Sequence, residues 1–320
     1  MTQRTIRGVQ LDHVAHAVPR WQDAWPRYAV ELGADWSSGG PGRGFAPGQL
    51  RFGNGARIEV LMPHAVELND FLSRFLDRNG PGPHHLTFKV PDLASALESV
   101  HQAGFDPIGV DLSQPEWMEA FIHPKQATGV VVQLAEAPEA WMSPPPPDYP
   151  DERRQRRDGS GPVPPASLLR VVHTVAELGA ATALFVDLLG GEVVGRDAYT
   201  DLRSVDVTWG GPISLRLVSP LDPPTPGGMA DQVVGPESAA WTDLAEDRGP
   251  TGVPAWLGAR SGRVHHLELS AVEPERLNGV ERVERVERPR GGTGSAGPRG
   301  GRFAIPPEAN LGLGLVVSRE

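Results

Sequence analysis

Four polar side chains sit in segments that otherwise read as apolar strands. His13 lies in LDHVAHAV (11–18), Glu59 in ARIEVLMP (56–63), His85 in PHHLTFKV (83–90) and Gln133 in FIHPKQATGVVVQL (121–134). Imidazole, carboxylate and amide oxygen are all donors to a divalent cation. Strand alternation places Leu11, His13 and Ala15 on one face, with Asp12, Val14 and His16 on the other. A carboxylate buried among apolar neighbours requires a cation or a proton. Singly, each residue has a plainer reading: a lone strand histidine is usually a satisfied core residue, and Glu59 could face solvent. Convergence of several such positions is what points to a metal. The chain has no cysteine, which excludes thiolate metal sites, iron–sulfur ligation, disulfide frameworks and a cysteine nucleophile.

These residues need elements to carry them. A strand is expected over 9–18, with an amphipathic helix over 21–32 ended by Gly33. Strands follow over 49–52 and 57–61, joined by the tight-turn sequence Gly53-Asn54-Gly55. The pattern then restarts: a strand over 84–90, a helix over 93–103 closed by Gly104, and strands over 119–123 and 129–134. The second half repeats the plan, with a strand over 168–175, a helix over 180–189, and strands over 205–209 and 213–218. Further on come a strand over 264–270, a short helical piece near 274–277, and strands over 280–287, 302–304 and 311–318. The glycine-rich segment 36–48 lacks a phosphate-loop lysine and reads as a loop near the mouth of the concave sheet that these strands could line.

The halves align by hand. LDHVAHAV pairs with VVHTVAEL (171–178), matching His13 to His173; ARIEVLMP pairs with ISLRLVSP (213–220), matching Glu59 to Arg216. PHHLTFKV pairs with VHHLELSA (264–271), matching His85 to His266; the fourth anchor pairs with FAIPPEANLGLGLV (303–316), matching Gln133 to Leu315. Four anchors in one order indicate duplication. The second half should hold no metal, because Arg216 replaces the carboxylate; Arg216 would instead bind an anion or form an ion pair with Glu268. The expected fold class is α+β: tandem βαβββ modules in four copies. The first domain covers 1–137 and the second 167–320, with a long insertion near 219–262 that Trp241 and Trp256 would pin. Between them, 138–166 contains four consecutive prolines (144–147) and a charged run, a composition suited to an extended linker.

The 320 residues carry 40 acidic and 30 basic side chains, a formal net charge of −10. Only Lys89 and Lys125 are lysines, so 28 of the 30 basic residues are arginine, as in a GC-rich bacterial genome. A basic field suited to nucleic acid is absent. The N-terminus lacks a secretory signal and no run is long and apolar enough for a membrane helix, so a cytoplasmic protein is expected.

The residues now carry a resemblance. LDHVAHAVP, IEVLMP, GPHHLTFKVPDL and EAFIHPKQATGVVVQL, spanning nearly all of 9–135, resemble the vicinal oxygen chelate superfamily of glyoxalase I, methylmalonyl-CoA epimerase, extradiol dioxygenases and bleomycin-resistance proteins. The last two segments are most similar to the epimerase and its relatives. The resemblance implies that the four βαβββ modules form two domains with cupped mixed sheets, the first around one divalent metal (Co, Ni, Zn, Mn or Fe) held by His13, Glu59, His85 and Gln133. It departs from the epimerase pattern, in which the second ligand is an amide and the last a carboxylate. His84 is read as structural and pointing to the opposite face. His123 matches a histidine of the epimerase-like HPK turn.

The implied function is a metal-dependent isomerase, epimerase or lyase that chelates vicinal oxygens of a small metabolite and stabilises an enediolate. The general base is Glu59, if it leaves the metal, or Glu119; Asp111 reads as a turn carboxylate. Arg43, Trp117 and His123 are candidate substrate contacts. The alternative is a non-catalytic protein that binds or sequesters a small molecule. Neither nucleic acid nor membrane is an expected partner, and the chain is expected to be a monomer or homodimer.

Overall fold

The computed structural model describes residues 5–137, 142–150, 163–198, 202–221, 256–283 and 301–320. Its first half contributes strands β1 (Gln10–Ala17), β2 (Asp35–Gly39), β3 (Gly44–Arg51), β4 (Arg57–His64), β5 (Gly82–Lys89), β6 (Pro107–Asp111), β7 (Met118–Ile122) and β8 (Val131–Glu136). Helix α1 (Trp21–Trp25) runs into a π-helical turn, Pro26–Glu31, and α2 (Phe71–Asn79) and α3 (Leu93–Gln102) follow. The second half contributes β9 (Ser167–Val175), α4 (Leu178–Thr182) with the π turn Ala183–Leu188, β10 (Glu192–Ala198), β11 (Leu202–Thr208) and β12 (Ser214–Pro220). It continues with β13 (Gly262–Ala271), β14 (Glu281–Val283), β15 (Arg302–Ile305) and β16 (Gly314–Arg319).

Two eight-stranded mixed sheets result. One has the order β2-β3-β4-β1-β5-β8-β7-β6 and the other β10-β11-β12-β9-β13-β16-β15-β14. In each, the two central strands are antiparallel (β1 with β5, β9 with β13), and each has its module's last-formed strand parallel on its outer side. The protein is thus an α+β fold of four βαβββ modules in two domains, as the sequence pattern implies. One continuous apolar core spans both halves, with Phe88 of β5 packed on Phe185 and Trp209 of the second half.

The register corrects the hand alignment. Ala15 faces both Glu59 and His85, and Val172 faces both Arg216 and His266. Two independent pairings therefore equate Ala15 with Val172. It follows that His173 corresponds to His16, and that Arg170 stands where the first sheet has His13. On the last strand, Thr87 faces Gln133 while Glu268, its counterpart, faces Val316, so Val316 rather than Leu315 replaces Gln133. Gapless matching slipped by three residues in one segment and one in the other, because histidines and glycines recur at short spacing there.

Two further readings change. Residues 36–48 are mostly sheet: Trp36 pairs with Leu50, and Gly39 with Gly48. Glycine is required at this hairpin, since Gly39 (φ 154°) lies against the Pro47 carbonyl and Gly44 (φ 95°) against the Asn69 backbone. The proline-rich connection is extended but docked over 142–150. Ser143 Oγ donates to Gly39 O at 2.8 Å and accepts from Gly39 N at 2.8 Å. Trp36 Nε1 donates to Ser143 O, Tyr149 packs on Trp25 and Trp36, and its hydroxyl donates to Ala34 O. Residues 138–141 and 151–162, Trp241 with the rest of 222–255, and 284–300 lie outside the described residues.

Candidate metal centre

β1 and β5 bring His13 and His85 together, with ring centroids 5.9 Å apart. β4 pairs in parallel with β1 and supplies Glu59. His13 Nε2 is 3.6 Å from Glu59 Oε2, and His85 Nε2 is 3.6 Å from Glu59 Oε1. Ligand atoms of the three residues all lie within 4.8 Å of one another. Donors bound at about 2.0–2.2 Å from one ion lie roughly 3–4 Å apart, so the spacing suits a shared cation. His85 Nε2 is buried without a hydrogen-bond partner. A buried orphan nitrogen beside a carboxylate is what a metal would satisfy. His13, Glu59 and His85 therefore have the chemistry and the geometry to hold a metal ion as three ligands. Among the described residues they are the one such group.

Several neighbours that alternation hides complete the surroundings. Asp12, expected on the opposite face, accepts a 2.7 Å bond from His13 Nδ1. It also pairs with Arg57 at 2.6 Å and Lys89 at 3.7 Å. Burial opposes the charge on Asp12, but His13, Arg57 and Lys89 outweigh it and hold the carboxyl down at about 2. Burial likewise opposes the His13 imidazolium, but the Glu59 charge and the bonds to Asp12 and Glu59 raise it to about 9. A proton on His13 and a metal ion therefore serve the same electrostatic purpose, neutralising Glu59. His85 is pushed well below the ordinary histidine range by burial and by the neighbouring His84 and His13, which leaves it a neutral donor.

Thr87 links His13 Nε2 (2.9 Å) to Gln133 Oε1 (2.6 Å). Gln133 Nε2 donates to Glu119 Oε2 at 2.7 Å, and Trp117 Nε1 donates to the same oxygen at 2.7 Å. Gln49, opposite Glu59 on β3, donates to Glu59 Oε2 at 3.4 Å. Burial, reinforced by the charges of Glu59 and Asp111 and opposed by those two hydrogen bonds, leaves the Glu119 carboxyl above its ordinary value. Glu119, Trp117 and Gln133 thus join the centre. Sequence reading missed Asp12, Gln49 and Thr87; the adjacent Asp12-His13 pair was the one local signal for any of them.

Two predicted residues are placed elsewhere. Arg43 is exposed at the tip of the β2–β3 hairpin, six positions from Gln49, or roughly 20 Å of extended strand. His123 is exposed in the turn after β7, where its Nδ1 accepts the Lys125 N–H at 3.1 Å. Asp111 accepts from Ser113 N and Oγ, the turn role expected of it.

The second cup is built on different chemistry. Arg170, Arg216 and Arg302 occupy the positions of His13, Glu59 and Glu119, and Asp206 and Glu268 those of Gln49 and Thr87. Arg216 bonds Asp206 through two 2.8 Å contacts and lies 3.9 Å from Asp197, and its charge also acts on Glu268. Glu268 pairs with Arg170 at 3.1 Å and Arg302 at 3.4 Å. Burial opposes the Glu268 charge, yet its bond to His266 and the Arg170 and Arg216 charges hold the carboxyl far below its usual range. Arginine cations thus face the carboxylates of the second cup.

Residues 12–121 match the family described as the Glyoxalase/Bleomycin resistance protein/Dioxygenase superfamily. An ethylmalonyl-CoA/methylmalonyl-CoA epimerase of Cereibacter sphaeroides is 29% identical over 131 residues, 39% of this chain and 96% of that protein. A methylmalonyl-CoA epimerase structure from Mycobacterium tuberculosis is 28% identical, covering 40% of this chain and 88% of that one at a TM-score of 0.37. A hypothetical protein from Bacillus halodurans is 25% identical, covering 43% of this chain and all of that one at a TM-score of 0.38. The first half of the chain is therefore a glyoxalase-like domain of the vicinal oxygen chelate superfamily, related in sequence to a methylmalonyl-CoA epimerase.

Proposed function

We propose that the first domain, residues 1–137, is the working centre of a metal-dependent isomerase, epimerase or lyase. Residues 138–166 join it to a second domain, 167–320, that carries no metal. The observation supporting this is the buried triad His13, Glu59 and His85 with an orphaned His85 Nε2 between them. Gln133 is the fourth ligand. Its amide oxygen already accepts from Thr87 and retains a second lone pair for a cation. A bound divalent ion supplies Lewis acidity to a substrate oxygen and offsets charge developing on its neighbour.

The chain's own residues supply the rest. Glu119 is the general base: both of its hydrogen bonds land on Oε2, leaving Oε1 to take a proton from the carbon beside the bound oxygens. Its raised affinity for protons suits that task. Trp117 fixes the carboxylate and offers a wall to the substrate. Glu59 stays with the ion, because it is the only carboxylate among the three clustered donors. Arg43 and His123 lie at the periphery and contact a substrate only if it extends well beyond the reacting carbons. The epimerase named among the relatives makes a 2-substituted malonyl thioester one candidate substrate. The protein acts in the cytoplasm as a monomer or homodimer.

Elemental analysis of the purified full chain tests this reading. About one equivalent of divalent metal is expected, and Glu59→Ala is expected to lose it while remaining folded by circular dichroism. Metal-free protein that binds a small molecule without turnover would instead support a sequestering role. Unfolding of Glu59→Ala would indicate a structural ion.

A further inference from the structure

The ladder between β1 and β5 is interrupted twice. Leu11 pairs with Phe88 and His13 with Thr87, so Asp12 is left over; Ala15 pairs with His85 and His16 with Pro83, so His84 is left over. Each leftover residue immediately precedes one of the two clustered histidines. A bulge bends its strand and re-aims a side chain that alternation would send to the other face. Both leftover residues use that freedom in the same way. Asp12 Oδ2 meets His13 Nδ1 at 2.7 Å, and His84 Nδ1 meets His85 Nδ1 at 2.9 Å. Neither bond reaches Nε2, the nitrogen that faces Glu59 in both histidines; on His13 that nitrogen also donates to Thr87 Oγ1, and a bound cation would displace that proton.

We infer that Asp12 and His84 are paired positioning residues, each set on a bulge to hold the following histidine in the Nδ1–H form that turns an Nε2 lone pair toward the cation. This rests on the proposed metal function. An ionised carboxylate can only accept, so Asp12 requires the proton on His13 Nδ1. Between two Nδ1 atoms only one carries the shared proton; with it on His85, His84 is the acceptor and His85 Nε2 is free to bind. His84 is itself anchored, its ring lying 4.7 Å from Phe75 and 5.9 Å from Phe71 between centroids. Such outer partners fix a ligand's tautomer and orientation.

The second domain retains half of the device. His265 is left over between Val264 and His266, and its Nδ1 meets His266 Nδ1 at 2.8 Å. Leu169 is the leftover residue on β9, followed by Arg170. The polar bulge residue has gone on the strand that lost its metal-ligand histidine, as expected if the purpose of Asp12 is to serve His13.

Nitrogen-15 NMR of the histidine rings in chelator-treated, metal-free protein reads the tautomers directly. In protein titrated until each of these rings carries a single proton, we expect that proton on Nδ1 of His13 and of His85. Nε2-only protonation of either ring overturns the inference, even if the wild type binds metal. Chelator competition then reads metal affinity in the variants. Asp12→Ala and His84→Phe should weaken binding about 10–100-fold, with the Phe ring preserving packing on Phe71 and Phe75. His84→Gln, which keeps an acceptor, should recover most of that loss. Equal affinity in wild type, Asp12→Ala and His84→Phe overturns the inference. If Asp12→Ala or His84→Phe fails to fold, the His84→Gln affinity and the wild-type tautomers decide. Wild-type protein that binds no metal refutes the functional reading alone, since the tautomers are measured without it.

Discussion

Glu59 and Glu119 are both buried acids in one polar network, yet their surroundings separate their roles. Glu59 sits 3.6 Å from two imidazole nitrogens, a ligand's environment. Glu119 takes two neutral donors on one oxygen and has a raised proton affinity, a base's environment. Glu119→Gln should therefore lower turnover by about 10²–10⁴-fold while leaving metal content at the wild-type value. Loss of solvent-deuterium incorporation into substrate, alongside elemental analysis, checks both halves of that expectation. Loss of the metal together with activity would make Glu119 part of the ligand set. At this scale the sequence was informative where residue type clashed with its strand: His13, Glu59, His85 and Gln133 all stood out among apolar neighbours. Asp12 and His84 were misplaced because alternation assumes an uninterrupted ladder, and a bulge leaves no local mark in composition. Gln49 and Thr87 are unremarkable types in a strand until the register sets them beside Glu59 and His13.

Strand and helix order was legible because each module combines a period-two run, a period-3.6 run and a glycine stop. The hairpin formed by β2 and β3 was not, because its glycines signal a loop by propensity. Those glycines instead allow close backbone approach and positive φ within paired strand. The docked connection was hidden for a related reason: proline and serine cannot form a core of their own, but they can line an exposed edge. β2 is the outermost strand of its sheet, and Ser143 with Tyr149 covers part of that edge. Tyr149 is buried between Trp25 and Trp36, so Tyr149→Ala should destabilise the first domain by about 3–5 kcal/mol. Tyr149→Phe should cost only about 1 kcal/mol, for the lost bond to Ala34 O. Chemical denaturation of the metal-free chain measures both, and near-equal effects would show that the rings contribute little.

The two domains meet through matching contacts. His16 Nε2 donates to Leu311 O at 2.8 Å, and its counterpart His173 donates from Nε2 to Thr128 O at 2.9 Å. The accepting residues are also counterparts, both at positive φ (52° each), and the glycines after them, Gly129 and Gly312, press on Gly262 and Pro81 across the junction. A duplicated contact of this kind uses one surface twice, as an isologous interface does. Burial of His16, opposed by its bond to Leu311, and burial of His173, opposed by bonds to Thr128 and Arg263, lower each ring to about 4, against an ordinary value of 6.5. The unfolded chain therefore takes up protons below pH 6.5 that the folded chain refuses, and stability falls as pH falls. Each histidine contributes a slope of about 1.4 kcal/mol per pH unit, so the pair should remove roughly 5 kcal/mol between pH 6.5 and 4.5. His84, also lowered to about 4 by burial, adds to the fall within the first domain. Asp12 does not confuse this window, since a carboxyl held at about 2 loses its contribution only below its ordinary 3.8. The raised His13 acts above it, losing its contribution as pH rises from 6.5 towards 9. Replacing both latch residues, His16→Gln and His173→Gln, keeps a side-chain donor at each position and removes the titration. Denaturant melts of the metal-free double variant should show a slope reduced by roughly 3 kcal/mol per pH unit in that window. An unchanged slope would mean that acid sensitivity arises outside the junction, and that the two carbonyl contacts do not hold the halves together.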